Sequence, residues 1–192
     1  MKERIAKTAI ALFHEKGIKF TMSDLARDLG VSKSTLYEHF PSKDELIGYV
    51  VQQVNEETER RFREVIQDTN LTTPEKLKGI LMIVPHDFQN SYVRLLVELR
   101  RYYPERWREM EQAINDEWDI ITSLIEEGIH NSDFRPMHIP TLIQTLNFLM
   151  KSIFDQRNLA SSQITVQESL SMMVDIILHG IMELNEAPIR YS

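Results

Sequence analysis

Several features that define common functional classes are missing from this chain of 192 residues. It has no cysteine, which excludes disulfides, thiolate nucleophiles and cysteine-ligated zinc. No apolar run approaches the roughly 18 residues that a membrane-spanning helix needs, and the amino-terminal stretch lacks the pattern of a signal peptide. A glycine-rich phosphate loop is also missing. We therefore expect a cytoplasmic protein that has no membrane partner.

Charge is distributed unevenly, although the net charge is −7. Residues 1–48 hold eight lysines and arginines against seven acidic residues, whereas residues 49–192 hold 14 basic and 22 acidic residues. This asymmetry indicates a nearly neutral end that can approach DNA and an acidic body. Acidic helices that merely keep a protein in solution would explain the second half equally well.

Apolar residues recur at intervals of three and four along the chain, and no strand-like alternation persists. This periodicity predicts an all-α fold of about nine helices. We predict two domains, residues 1–48 and residues 49–192, with a long fourth helix crossing the boundary. The predicted helices span about residues 2–16, 21–29, 32–40, 42–67, 73–84, 90–101, 104–128, 140–160 and 166–184.

The segment from Thr21 to Leu46 has the residue pattern of a helix-turn-helix. Thr21 with Asp24 suits an acidic capping box at one helix start, and Ser32 suits the cap of the next. Gly30 between them can take the left-handed conformation of a tight turn. In such a motif the second helix enters the major groove of DNA.

Small and basic side chains occupy the first turn of that second helix, where backbone N–H groups are unpaired and the helix dipole is positive. Lys33, Ser34 and Thr35 can reach base edges from there. Tyr37, one turn later, can donate its hydroxyl to a phosphate. Lys43 in the first turn of the fourth helix opposes the dipole, so its position favours a bound anion such as phosphate. Each residue alone could be an ordinary solvated side chain, but their joint register favours DNA binding.

An ordered set of residues runs through this region, namely Phe13, Gly17, Thr21, Leu25, Ala26, Gly30, Val31, Ser32, Thr35, Leu36, Tyr37, His39, Phe40, Lys43 and Leu46. In this pattern the sequence resembles the TetR-type transcriptional regulators over about its first 48 residues. The resemblance implies an N-terminal three-helix DNA-binding domain, a C-terminal ligand-binding and dimerisation domain, and a homodimer that holds two recognition helices one turn of DNA apart. It also implies DNA contacts by Thr21, Lys33, Ser34, Thr35, Tyr37, His39 and Lys43.

The remainder of the chain has no motif of comparable specificity. The resemblance implies a ligand pocket among helices five to eight, where aromatic residues and methionine are typical of a cavity for varied apolar ligands. The predicted lining consists of His86, Phe88, Tyr92, Leu96, Glu98, Leu99, Tyr102, Trp107, Met110, Ile114, Trp118 and Phe148. The alternative is that this series is ordinary core.

The last two predicted helices have apolar stripes wider than one buried face needs, which favours contact with a second copy of the chain. The predicted dimer interface consists of Leu142, Leu146, Met150, Ile153, Met173, Ile177, Gly180, Ile181 and Leu184. The alternative is that both helices lie deep in the core of one subunit.

We therefore predict a homodimeric transcriptional regulator, most simply a repressor that a small apolar or amphipathic effector releases from double-stranded operator DNA. One alternative is a similar DNA-binding protein controlled by a protein partner or by no effector. Another is a helical interaction module that does not bind DNA. We expect no enzyme, cofactor or metal site, because the pairs His86 with Asp87 and His130 with His138 lack ligand spacing and a third ligand.

Overall fold

The computed structural model describes residues 1–85, 92–153 and 164–182. Nine α-helices lie in these ranges, which hold no strand and one isolated antiparallel bridge, between Phe134 and Met182. The predicted all-α fold is therefore confirmed. The helices are α1 (Lys2–Lys16), α2 (Met22–Leu29), α3 (Lys33–His39), α4 (Lys43–Gln67), α5 (Thr73–Leu81), α6 (Tyr92–Tyr102), α7 (Pro104–His130), α8 (Ile139–Ile153) and α9 (Val166–Ile181).

Hydroxyl side chains begin several of these helices. In three reciprocal capping boxes, a threonine oxygen accepts a backbone N–H three residues later, and the acidic side chain there accepts the threonine N–H. The three boxes are Thr21 with Asp24, Thr72 with Glu75 and Thr165 with Glu168. At the start of α3, Ser32 Oγ accepts the N–H of Thr35 at 3.0 Å. The predicted caps of α2 and α3 are confirmed.

The described chain groups into two compact units, which divide within α4 and within α7. The first unit consists of Met1–Arg60 and Val84–Ile114, and the second of Arg61–Ile83 and Asn115–Ser192. The core of the first unit includes Leu25 of α2, Leu36 of α3 and Leu99 of α6, none of which is exposed. Helix α6 therefore shares one hydrophobic core with the three amino-terminal helices.

In the second unit, α9 packs against both α5 and α8. Lys78 of α5 pairs with Asp175 of α9 at 3.0 Å. The segment after α7 is attached to the end of α9, because Arg135 donates its backbone N–H to the carbonyl of Ile181 at 2.8 Å and its Nε to the carbonyl of Gly180 at 2.7 Å. These donors satisfy carbonyls that the last turn of a helix leaves unpaired.

Helix ends depart from the predicted ranges by a few residues. Helix α5 ends at Leu81, several residues before Pro85, and α6 begins at Tyr92. The predicted ends of the last two helices, residues 154–160 and 183–184, lie outside the described residues. Among the helices that the structure describes, none is long and apolar enough to cross a membrane.

Candidate nucleic-acid interface

Helices α2 and α3 are joined by a short turn built on Gly30. Gly30 has φ 69° and ψ 32°, a left-handed conformation that glycine adopts without steric cost. Its N–H donates to the carbonyl of Arg27 at 3.1 Å, and the N–H of Val31 donates to the carbonyl of Ala26 at 3.0 Å. The chain then enters α3 through the Ser32 cap, so the turn predicted from Gly30 and Ser32 is confirmed.

Helix α3 buries one face and presents another. Leu36 is completely buried, whereas Lys33 and Ser34 in the first turn are exposed and Tyr37 is 45% exposed. Thr35 is half-buried, and its hydroxyl lies 2.9 Å from that of Ser32. The exposed face thus combines an ammonium, a hydroxyl and a phenol, which are groups that bind base edges and phosphates.

Thr21 is exposed, but its polar groups already have partners. Its backbone N–H and its hydroxyl both donate to Asp24 Oδ2, at 2.9 Å and 2.7 Å. These hydrogen bonds, together with the positive charges of Lys16 and Arg27, lower the pKa of Asp24 to about 2. The cap therefore carries a firmly ionised carboxylate.

Lys43 has a different environment from the one that a phosphate contact requires. Its ammonium donates to the carbonyls of Ile18 and Phe20 and lies 4.3 Å from the centre of the Phe20 ring. Burial lowers the pKa of Lys43, and the charges of Asp24 and Glu98 oppose that shift. Of the seven predicted DNA contacts, Lys43 alone has its charged group half-buried against backbone. The sequence predicted a phosphate contact for Lys43, whereas in this structure its ammonium contacts backbone carbonyls.

Glu98, predicted to line a pocket, instead reaches the turn that joins α1 to α2. Its Oε2 accepts the N–H of Ile18 at 2.6 Å, and its Oε1 accepts Arg94 Nε at 3.0 Å. Arg94 also donates to the carbonyl of His14 at 3.4 Å. Arg94 and Glu98 lie one helical turn apart, but no sequence pattern predicts the contact of Glu98 with Ile18, 80 residues away.

The other residues predicted to line a pocket do not gather at one site. Leu99 and Met110 are buried in the core of the first unit. Leu96, Trp107 and Ile114 are partly buried against the same core, and the ring of Tyr102 lies 5.4 Å from Lys19 Nζ. The alternative of ordinary core therefore describes Leu96, Leu99, Trp107, Met110 and Ile114, whereas Tyr102 is 38% exposed.

The remaining residues of the predicted pocket differ in their solvent exposure. Trp118 is half-buried in the second unit, whereas Phe148 is 72% exposed on α8 and cannot line an interior cavity in this conformation. His86, Phe88 and the side chain of Tyr92 lie outside the described residues.

An open groove of about 560 Å³ occurs in the first unit beside the end of α3. Its lining is mostly polar and includes His39, predicted as a DNA contact, but none of the residues predicted to line a pocket. The lining consists of Lys2, His39, Phe40, Glu45, Gly48, Tyr49, Gln52, Asn55, Glu56, Glu59, Arg106 and Glu109. His39 is half-buried.

Helix α9 exposes a different apolar stripe from the predicted one. Met172 and Ile176 are 59% and 66% exposed, and Gly180, four residues on, is exposed with open space beside it. Three predicted interface residues, Leu146, Met173 and Ile181, are buried within one chain, so they are core residues and the prediction for them is corrected. Leu142, Met150, Ile153 and Ile177 are half-buried, and Leu184 lies outside the described residues.

Glu117 of α7 is a polar residue that sequence reasoning missed. Burial, with the negative charge of Asp116 beside it, raises the pKa of Glu117 to about 7. It belongs to a charged run in which nothing distinguishes it from its exposed neighbours. Within the ranges that the structure describes, no group of three or more histidine, aspartate and glutamate side chains could hold a metal ion.

Known proteins match both the amino-terminal helices and nearly the whole chain. A family model described as "Bacterial regulatory proteins, tetR family" matches residues 5–50. Over 187 residues the chain is 31% identical to the uncharacterized HTH-type transcriptional regulator YvaF of Bacillus subtilis (strain 168), covering 97% of this chain and 98% of that protein. It is 23% identical over 137 residues to the HTH-type transcriptional repressor KstR2 of Mycobacterium tuberculosis, covering 69% of this chain and 68% of that protein.

Solved structures extend the similarity of fold beyond the matched amino-terminal region. The ketosteroid transcriptional regulator KstR2 of Mycobacterium tuberculosis superposes with a TM-score of 0.73 at 20% identity, covering 95% of each chain. A putative transcriptional regulator from Saccharomonospora viridis in complex with choline superposes with a TM-score of 0.78 at 21% identity, covering 95% of this chain and 98% of that one. At these identities the two structures establish a common fold.

Proposed function

The chain belongs to the tetR family of bacterial regulatory proteins and is a DNA-binding transcriptional regulator, and from this premise we propose that α3 reads operator DNA in the major groove. The exposed first turn of α3 carries the proposal, because Lys33 and Ser34 project from it while Leu36 anchors the opposite face. Lys33 and Ser34 contact base edges. Phosphates are contacted from the surrounding surface by Thr35, Tyr37 and His39.

A test of this assignment is the base preference of the variant Lys33→Ala. Duplexes are first selected from a random pool with the unaltered protein, and every base pair of the selected site is then varied. Loss of one base contact should reduce discrimination at one or two positions by roughly 1–3 kcal/mol. Arg108→Ala is the control, since Arg108 is an exposed cation of α7 that pairs with Glu105. An unchanged preference in Lys33→Ala would show that another face reads the bases.

Two copies of the chain pair through α8 and α9, which allows two α3 helices to meet successive major grooves. This part of the proposal rests on three exposed apolar side chains, Phe148, Met172 and Ile176. Such side chains on neighbouring helices are favourable only when another apolar surface covers them. Phe148, predicted to line a pocket, therefore serves the interface.

The regulator acts in the cytoplasm, where bacterial operator DNA lies, as a repressor that a small amphipathic molecule releases. Glu117 supports an effector with a positively charged group, because a half-buried carboxylate with a raised pKa gains from a nearby cation. The similar protein from Saccharomonospora viridis was crystallised with choline, a cation of this type.

The effector proposal is tested by melting the protein with quaternary ammonium amphiphiles and with neutral lipids of equal chain length. A binder raises the melting temperature by mass action. Glu117→Gln should remove the preference for the cationic series, whereas Glu126→Gln, at an exposed position of the same helix, should retain it. If neither series shifts the melting temperature, control by a protein partner or by no effector replaces this part of the proposal.

A further inference from the structure

The backbone of one residue in the first unit, Ile18, is bound by side chains of opposite charge at its N–H and at its carbonyl. The N–H of Ile18 donates to Glu98 Oε2 of α6 at 2.6 Å, and the carbonyl of Ile18 accepts from Lys43 of α4. Lys43 also donates to the carbonyl of Phe20. Helices distant in sequence thus meet at the short 3-10 turn, Gly17–Lys19, that joins α1 to α2. Hydrogen bonds to charged groups are stronger than those between neutral groups.

Glu98 is itself held in place over the end of α1. Arg94 pairs with it at 3.0 Å, donates to the carbonyl of His14, and lies 5.8 Å from the centre of the Phe13 ring. Gly17 leaves the space that this pair occupies, because a Cβ at residue 17 would collide with the ends of both side chains. The absence of a side chain at residue 17 therefore allows Arg94 and Glu98 to lie against this turn.

The position of the Ile18 turn determines where α2 begins. Thr21, the cap of α2, follows this turn by two residues, and α2 packs on α3. We propose that Glu98 and Lys43 are positioning residues for DNA reading, which hold the Ile18 peptide so that α2 and α3 present their exposed face in one orientation. The inference rests on the proposed contacts of α3 with DNA, and it assigns neither Glu98 nor Lys43 a contact with DNA.

A phosphate contact by Lys43 would demand a different arrangement. To reach solvent, its ammonium would give up two carbonyl acceptors and its position against the Phe20 ring. The groups facing it are Asp24 on α2 and Glu98 on α6, both acidic, so its charge is already compensated. Lys43 therefore contributes to DNA affinity through the geometry of the turn.

A phosphate contact and a positioning role predict different dependence of DNA affinity on salt concentration. A lysine that neutralises a phosphate contributes about 0.9 to the slope of log affinity against log salt, and its loss weakens binding to every sequence. A positioning residue changes affinity for the selected duplex and leaves both the slope and the binding to a scrambled duplex unchanged.

The experiment measures the affinity of Glu98→Ala, Glu98→Gln and Lys43→Met for the selected and scrambled duplexes across a salt series. We expect Glu98→Ala and Lys43→Met to lose about tenfold on the selected duplex, the loss of one charged hydrogen bond. Glu98→Gln should recover most of the affinity, because its amide oxygen still accepts the Ile18 N–H. Glu105→Ala is the matched control, since Glu105 pairs only within α7 in the described contacts.

Hydrogen exchange of the Ile18 amide, followed by NMR, reports the contact directly and separates it from general loss of stability. Exchange should accelerate in Glu98→Ala and remain slow in Glu98→Gln and Glu105→Ala. A salt slope lowered by about one in Lys43→Met would overturn the role given to Lys43. Unchanged affinity in Glu98→Ala despite faster Ile18 exchange would overturn the role of Glu98. These outcomes differ from the result expected if α3 does not contact the bases. In that case Lys33→Ala would leave the base preference unchanged.

Discussion

The two compact units differ in the surroundings of one acidic side chain and in the exposure of one apolar helix face. In the first unit, charged side chains meet partners from other elements, as Glu98 does at Ile18 and Arg106 does at Asp44, 2.6 Å away. In the second unit, no hydrogen bond or ion pair from the described residues reaches the half-buried Glu117. The apolar stripe of α9 at Met172 and Ile176 also lies uncovered.

This difference indicates what kind of partner each unit requires. The first unit has a closed core and a polar exposed helix, so its natural partner is a polar surface such as DNA. Under the proposed function, an apolar surface that covers the α9 stripe and a positive charge near Glu117 would each stabilise the second unit.

The largest effect should follow from placing charge on the α9 stripe. The double variant Met172→Glu with Ile176→Glu should weaken self-association by on the order of a thousandfold, because two carboxylates would enter an apolar interface without partners. Sedimentation equilibrium measures this directly. Binding to the selected duplex should fall with it, since one α3 helix would then act alone.

The control for that variant is Val97→Glu on α6, an apolar residue that is 61% exposed in the first unit. The self-association constant of the Val97→Glu variant should match that of the unaltered protein. Equal weakening by both variants, or a double variant that remains fully dimeric, would place the interface elsewhere and remove the contrast between the units.

A smaller effect is expected from neutralising the carboxyl of Glu117. Its folded pKa of about 7 lies above the ordinary 4.5, so the folded protein retains a proton that the unfolded chain releases. Stability should therefore decrease as the pH rises through this interval and remain low above it. At a pH of about 8, Glu117→Gln should be more stable by on the order of 2 kcal/mol. At a pH of about 4, below both pKa values, Glu117→Gln and the unaltered protein should unfold alike.

Urea unfolding at both pH values measures this difference, with Glu126→Gln as the control on the same helix. A stability difference that does not change with pH would mean that the Glu117 carboxylate is solvated, and that the second unit holds no uncompensated charge.

The smallest effects concern the two caps. Ser32→Ala and Thr165→Ala should each cost about 1 kcal/mol of stability, because each leaves a backbone N–H at a helix start without its acceptor. Only Ser32→Ala should in addition reduce sequence-specific DNA binding, since α3 carries the proposed contacts. Urea unfolding and duplex titration together separate these outcomes. Equal DNA binding by both variants would argue against a special role for the start of α3.

Local chemistry explains why the amino-terminal motif was predictable. Thr21, Gly30 and Ser32 each specify a backbone conformation through their own side chain or its absence, so neighbouring residues suffice to locate the helices. The exposed and buried faces of α3 follow from the same register. Family resemblance added the identity of the partner, which composition alone did not reveal.

Contacts between elements distant in sequence were less predictable. A helical period indicates that a residue is buried, but it does not indicate which other helices surround that residue. Leu99 and Met110 are predicted to line a pocket, yet they complete the core of the amino-terminal helices. Along α9 the same limit applies. Met173 and Met172 are adjacent and equally apolar, and only packing against α5 and α8 decides which one faces inward.

Gly17 has a consequence for how this protein can diverge. Its φ of 70° and the nearby ends of Arg94 and Glu98 mean that a side chain at residue 17 would displace that pair before it displaced the backbone. Substitutions at 17 and 98 are therefore expected to co-vary among relatives. Lineages with a bulky residue at 17 should lack the acid at 98, and a glycine there should accompany its retention.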